Sequence, residues 1–233
     1  MKLKTIQVGR AARKAGSVLT VQTLAVAGLL LAAPLSAQTM VTYNATPPGQ
    51  GTLMAIDGTS SIHAWTMEGR LIAGKMELDA KVEIDVSKDA VTGLDNGKLP
   101  AKVEARVPVR SLKSQYAKMD EIMQEHMEEK TFKNIEYRLK ELVYKKTDRK
   151  AGAPFEFESK GSLIVHGVTN EITMPVKIEN IGKDKLKISG TQPLKMTDFK
   201  VKPPSPTIGL GAITTGDDIK VRFDWVVAKA QSK

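Results

Sequence analysis

Three histidines, His63, His126 and His166, are the side chains of this chain best suited to exchange protons near neutral pH. A zinc site built from them would need H-x-x-x-H or H-E-x-x-H spacing, which sets two rings on one helix face, and neither spacing occurs. A serine nucleophile calls for a glycine-flanked elbow, but there is no G-x-S-x-G. The phosphate-cradling patterns G-x-G-x-x-G and G-x-x-x-x-G-K-[ST] are missing as well. The sequence contains no cysteine, which excludes disulfides, thiol catalysis, a cysteine-based zinc site and a lipidated N-terminal cysteine together. The expectation is a protein without a catalytic set, a metal site or a cofactor, unless distant residues converge on folding.

Each histidine also has a structural reading. In SSIHAWTMEGR, strand alternation puts Ile62 and Ala64 on one face and His63 and Trp65 on the other. There His63 either orients a polar headgroup beside Trp65 or is a hydrogen-bonded structural histidine. In GSLIVHGVTNEITMPV, residues 161 to 176, His166 stands before Gly167 where two strands fold back on each other, so it is expected to serve the turn.

The elements that must position these residues follow mainly a period of two. Val82, Ile84 and Val86 share a face, as do Val103, Ala105, Val107 and Val109, then Ile135, Tyr137 and Leu139. The same alternation joins Phe155 with Phe157, Leu163 with Val165, Ile172 with Met174, Val176 and Ile178, and Val221 with Phe223, Trp225 and Val227. These are half-buried antiparallel strands, with one apolar and one wet face. In IEYRLKELVYKK the apolar phase slips from odd to even positions, which predicts a β-bulge near Lys140 or Glu141. Roughly eight such segments and a bulge favour an all-β closed barrel, with a sandwich as the alternative.

Two segments break the rhythm. In AKMDEIMQEHMEEKTF, Met119, Ile122, Met123 and Met127, with His126, form one stripe of a short amphipathic helix. Asp120 and Glu121 lie near its start and Lys130 near its end, as the helix dipole prefers. The stripe is either core packing or a soft wall for a flexible hydrocarbon ligand. KPPSPTIGLGAITTGDD, residues 202 to 218, is too rich in proline and glycine for regular structure, and reads as a lid over a barrel mouth or as a connector.

The first 37 residues have the layout of a cleaved secretory signal: a basic start from Lys2 to Lys14, an apolar run from Val18 to Ala33, and small residues before a cut after Ala37. The chain has 35 basic and 26 acidic residues, and five of the basic ones lie in that leader. The remaining domain, residues 38 to 233, therefore carries 30 against 26, a net charge of +4 where the whole chain has +9. That removes most of the basis for a nucleic-acid partner. The expected compartment is the bacterial periplasm.

The hairpin GSLIVHGVTNEITMPV resembles the signature of the YceI-like family, G-x-L-x-[IV]-x-G-V-T followed by a return strand. SLKSQYAKMDEIMQEHMEEKTFKNIEYRLKEL is similar to the family's helix leading through a phenylalanine, here Phe132, into a strand, here Asn134 to Tyr137. GTSSIHAWTMEGRLIAGKMELD resembles a family opening with a His-x-Trp element. Together the similarity covers about residues 51 to 229. It departs where the family often reads Arg-x-Asp-Phe-Gly and this chain has Met196-Thr197-Asp198-Phe199-Lys200.

The resemblance implies an eight-stranded antiparallel, lipocalin-like barrel with a short amphipathic helix, exported to the periplasm, whose lumen holds a polyisoprenoid or an isoprenoid quinone as ligand. Lumen lining is then expected from Met119, Ile122, Met123, Met127, Phe132 and Tyr137, with Trp65 and His63 at a headgroup. The expected partner is an apolar lipid, with transient membrane contact and the choice of monomer or homodimer left open. Two readings from other classes stand beside it: a packed barrel acting as a protein-interaction module, and an enzyme using the lumen as a substrate pocket.

Overall fold

The computed structural model describes residues 39–208 and 211–231, and the expected leader lies outside the described residues. Ten strands form one antiparallel sheet: β1 (Met40–Ala45), β2 (Leu53–Thr59), β3 (Ala64–Gly69), β4 (Ala73–Asp79), β5 (Ala101–Pro108), β6 (Asn134–Lys145), β7 (Phe155–Val165), β8 (Val168–Gly182), β9 (Lys185–Lys195) and β12 (Asp218–Lys229). A small hairpin of β10 (Thr207–Ile208) and β11 (Gly211–Ala212) stands apart, and the α-helix is α1 (Ala117–His126). The order β1-β4-β5-β6-β7-β8-β9-β12 closes on itself because β12 also pairs with β1. Eight strands thus make the ring, as expected from the period of two, and two further strands extend from it, β2 paired with β12 and β3 paired with β2.

Alternation sets what faces inward. On β8, Met174, Val176 and Ile178 are buried while Thr173, Pro175 and Lys177 between them are exposed. The expected bulge is present: Leu139 pairs with Gly161 but Glu141 with Lys160, so Lys140 is the extra residue. That extra residue resets the inward phase from Leu139 to Leu142, which is buried.

Three segments expected to be strand are not. Residues 82 to 86 lie in a turn-rich loop in which Asp85 Oδ1 accepts from Ser87 N and Oγ, a local bond that ends extension. The loop's Ile84, Val91 and Leu99 are buried with Phe155 and Phe157 and fill one end of the barrel. Arg149 ties that end: its guanidinium lies 3.9 Å over the Phe155 ring and donates to the carbonyls of Val86, Lys88 and Ala153. Val109 falls in a 3-10 turn (Val109–Ser111), and Ile62 and His63 fall in the bend before β3, so their face assignments do not hold.

The seam lies along β12. Its second edge pairs first with β2 and then with β1, and between these two strands the chain leaves the ladder through Pro47-Pro48-Gly49-Gln50-Gly51. Two buried threonines cover the gap. Thr46 Oγ1 donates to Val226 O at 3.1 Å, and Thr52 Oγ1 accepts from Val226 N at 3.2 Å. Nearby, Arg222 on β12 grips Asp57 on β2 through two bonds of 2.6 and 3.0 Å. The Arg222 guanidinium holds the Asp57 carboxyl below its ordinary value, with Thr66 adding a further donor.

Replacing Thr52 with valine keeps the shape but leaves the buried Val226 N–H without its acceptor. A loss of about 1–3 kcal/mol is expected in urea unfolding. The depressed Asp57 contributes stability that is present above the ordinary carboxylate pKa and lost as pH falls through its lower folded value. Asp57→Asn should therefore lower the melting temperature at pH 7 and shrink the drop between pH 7 and pH 3, read by thermal scans at both.

Candidate functional site

Above the packed end the barrel is hollow, and the cavity, of about 440 Å³, opens at the other end. Three elements frame the mouth. Helix α1 lies along one side, with Asp120 near its start accepting from Ser114 N and Oγ. The described residues of the 202–217 segment form the second side and place Pro204, Pro206, Ile213 and Thr215 on the cavity wall. The β2–β3 turn makes the third, tied to that segment where Ser61 N donates to Thr214 O and Gly216 N donates to Thr59 O. The 202–217 stretch therefore acts as part of the wall, and the β10–β11 hairpin lies within it.

The wall is almost entirely apolar, and methionine stands in it beside isoleucine as a main component. Eight of the chain's ten methionines line it: Met54, Met67, Met76, Met119, Met123, Met127, Met174 and Met196. Only three of those were picked out by the helical stripe. Met174 belongs to the alternation of β8, and the other four sit at inward positions of strands or just past β9, where a single methionine carries no periodic signal of its own. Thioether side chains with three rotatable bonds make a surface that refits to flexible hydrocarbon.

Large rings are laid along the wall instead of across the lumen. Trp65 covers Gly58, its cross-strand partner, with no room for a Cβ between them, and its Nε1 donates to Thr59 O at 3.1 Å. Phe223 covers Gly190 in the same way, a Cβ there standing 2.7 Å from the ring. Tyr137 lies against Gly161, and its hydroxyl meets Ser159 Oγ at 2.7 Å. Each glycine lets a ring lie flat, and the volume so released belongs to the cavity.

Of the residues expected at the site, Met119, Ile122, Met123, Met127, Tyr137, Trp65 and His63 line this cavity. Phe132 does not, and the expectation for it is corrected. The helical stripe ends where Glu128 takes a left-handed backbone (φ 46°), and Thr131 and Phe132 then donate to Glu128 O. The chain so turned sends Phe132 onto the β7–β8 tip, edge-on to His166 at 4.9 Å and against Gly167.

The histidines stand at the mouth end without forming a catalytic set. His63 is exposed, with Nδ1 on Ala64 O at 2.8 Å. His126 lines the cavity and joins α1 to the 202–217 segment through Nδ1 and Lys202 O at 2.9 Å. His166 and Gly167 have φ of 50° and 72°, the two positive values that a two-residue primed hairpin turn requires. His166 Nδ1 lies 3.3 Å from Phe199 O and its Nε2 lies 3.1 Å from Glu128, off the line of a good hydrogen bond. It is an architectural residue, completing the hairpin turn and bonding its tip to the 3-10 turn at Thr197–Phe199 beside Glu128. Lys200 completes that turn with φ 58°, so a lysine occupies the left-handed position where the resembled pattern has glycine. Among the described residues no group of three His, Asp or Glu is placed to hold a metal ion.

Comparison with known proteins agrees with this architecture. Residues 50–227 match the family described as YceI-like domain. A polyisoprenoid-binding domain from Saccharophagus degradans, implicated in plant cell wall breakdown, superposes with a TM-score of 0.55 at 9% identity, covering 82% of this chain and all of that one. Burkholderia cenocepacia BcnA superposes with a TM-score of 0.51 at 14% identity, covering 76% of this chain and 96% of that one. At such identities the likeness is one of fold. No curated protein matches the sequence.

Gly58→Ala tests how the cavity is kept open. The added methyl must drive the Trp65 indole off the wall and break its bond to Thr59 O. A shift in tryptophan emission is expected, with Trp225 as the buried, unchanged second emitter. Overpacking should also cost about 1–3 kcal/mol of stability.

Proposed function

This chain belongs to the YceI-like domain family, and we propose that it is a periplasmic carrier or reservoir for an apolar long-chain amphiphile, an isoprenoid lipid or isoprenoid quinone held in the barrel lumen. The observation that carries the reading is the hollow, methionine-lined half of the barrel, open at a mouth framed by α1 and the 202–217 segment. A core evolved only for packing would be filled to the density of the other end, where Phe155 and Phe157 are fully buried.

At about 30 Å³ per heavy atom, the volume water takes in the liquid, the 440 Å³ admits about fifteen heavy atoms, or roughly three isoprene units. Each buried CH₂-sized group contributes about 0.8 kcal/mol, so three units give useful affinity after the cost of ordering the chain. A longer molecule continues through the mouth, past Trp65 and His63. The mouth also carries two of the three large exposed apolar side chains among the described residues, Ile62 and Tyr116. Apolar groups at the rim suit a protein that takes its cargo from a membrane surface.

The packed interaction module is less well supported, because such a barrel has no use for a cavity. Among the described residues no constellation of acid, base and nucleophile favours the enzyme reading.

Protein expressed with its leader, purified from the periplasm without detergent and extracted with organic solvent, should yield a lipid in near-stoichiometric amount by mass spectrometry. Met123→Glu, which sets a carboxylate into the apolar wall from the half-buried face of α1, should leave the circular dichroism spectrum unchanged and the extract empty. A wild-type extract that stays empty after incubation with quinone-rich membranes would sink the carrier reading.

A further inference from the structure

The lumen wall has one polar point far from its mouth. Tyr137 on β6 and Ser159 on β7 both line the cavity, and their hydroxyls are bonded to each other at 2.7 Å. Ser159 is 3% exposed, and its strand partners Met174 and Leu142 are buried and apolar. Six residues separate it from the hairpin tip at Val165, roughly 20 Å along a strand at the usual rise. Toward the closed end the next inward residues of β7 are Phe157 and Phe155, both fully buried.

Two hydroxyls have two protons, and the bond between them uses one. The other O–H has no acceptor among the described residues, since neither side chain makes a second hydrogen bond. Burial pushes the Tyr137 phenol above its ordinary pKa, so it stays protonated across the physiological range. A buried donor without a partner is costly, by more than a formed hydrogen bond returns. A water would find only these two oxygens and hydrocarbon on its other sides, the bottom of the range a buried water needs. A ligand oxygen that brings its own hydrocarbon satisfies the donor and fills the space around it.

We propose that the Tyr137–Ser159 pair is a specificity site that selects ligands with a hydrogen-bond-accepting oxygen, of the carbonyl or quinone class, at the end that enters the lumen first. The inference rests on the lumen being the ligand site and adds an orientation. A quinone ring would be seated deep, with a carbonyl on the hydroxyl pair, and its isoprenoid tail would run outward over Met119, Met123 and Met127.

The test compares two probes that differ by one oxygen. Geranylacetone, an isoprenoid ketone of about the size the lumen admits, is set against the hydrocarbon in which its C=O is replaced by CH₂. Each competes against an apolar fluorescent dye bound to the full mature chain. Wild type should bind the ketone at least about fivefold more tightly, as expected when a buried donor is satisfied in one complex and left bare in the other. Tyr137→Phe combined with Ser159→Ala should bind both probes alike, with the hydrocarbon held as well as by wild type or better. The infrared C=O stretch of the ketone on wild type should lie below its position in hexane, a readout that needs no variant. Equal wild-type affinities and an unshifted stretch would overturn the inference and leave the carrier reading standing. Failure of both probes to displace the dye would remove the lumen as the ligand site, and the inference with it.

Discussion

The structure depends on closure of one hydrogen-bonded ladder through β12. An open antiparallel sheet has two edges of unpaired backbone groups, and closing it removes both. Here one long strand reaches β9 along its whole length on one side and β2 and then β1 on the other. Where that second edge is interrupted, the Thr52 hydroxyl accepts from Val226 N in place of a backbone carbonyl, and the Thr46 hydroxyl joins its own backbone N–H on Val226 O. With the ring shut, every inward side chain faces another inward side chain. The contents of the interior then become a matter of side-chain volume and no longer of backbone pairing.

Volume is distributed unevenly along the barrel. At one end Phe155, Phe157 and the loop residues Ile84, Val91 and Leu99 fill the section, and Arg149 binds the loop carbonyls over the Phe155 ring. At the other end rings lie flat over Gly58, Gly161 and Gly190, and methionines take the inward positions. The same fold thus provides a rigid base and an adaptable chamber, each from the residues placed on it. The mouth draws on the chain's histidines as fasteners. His126 joins α1 to the 202–217 segment, and His166 bonds the β7–β8 tip to Phe199.

Polar groups in such a chamber carry information because there are few of them. Most of those on the wall are near the rim, where water reaches them. The Tyr137–Ser159 pair is set deep, on neighbouring strands, and has one proton more than it can use. An interior of hydrocarbon makes that proton a reader of the ligand's own polarity.

Local signals in the sequence determined a good deal. Period-two alternation marked most of the barrel strands, the phase slip marked the bulge at Lys140, and the His166-Gly167 pair marked the hairpin. The methionine stripe marked α1. Each of these is a property of neighbours within a few residues, and neighbours are what a sequence lists. Alternation failed where a local bond overrode it, as at Asp85, and the lining expected of Phe132 failed because Glu128 turns the chain before it. Tertiary structure alone decided that methionines from four strands, one helix and a turn would meet in one cavity. It also decided that Tyr137 would find Ser159 across two strands, because a period of two defines two faces and only closure of the ring makes one of them the inside.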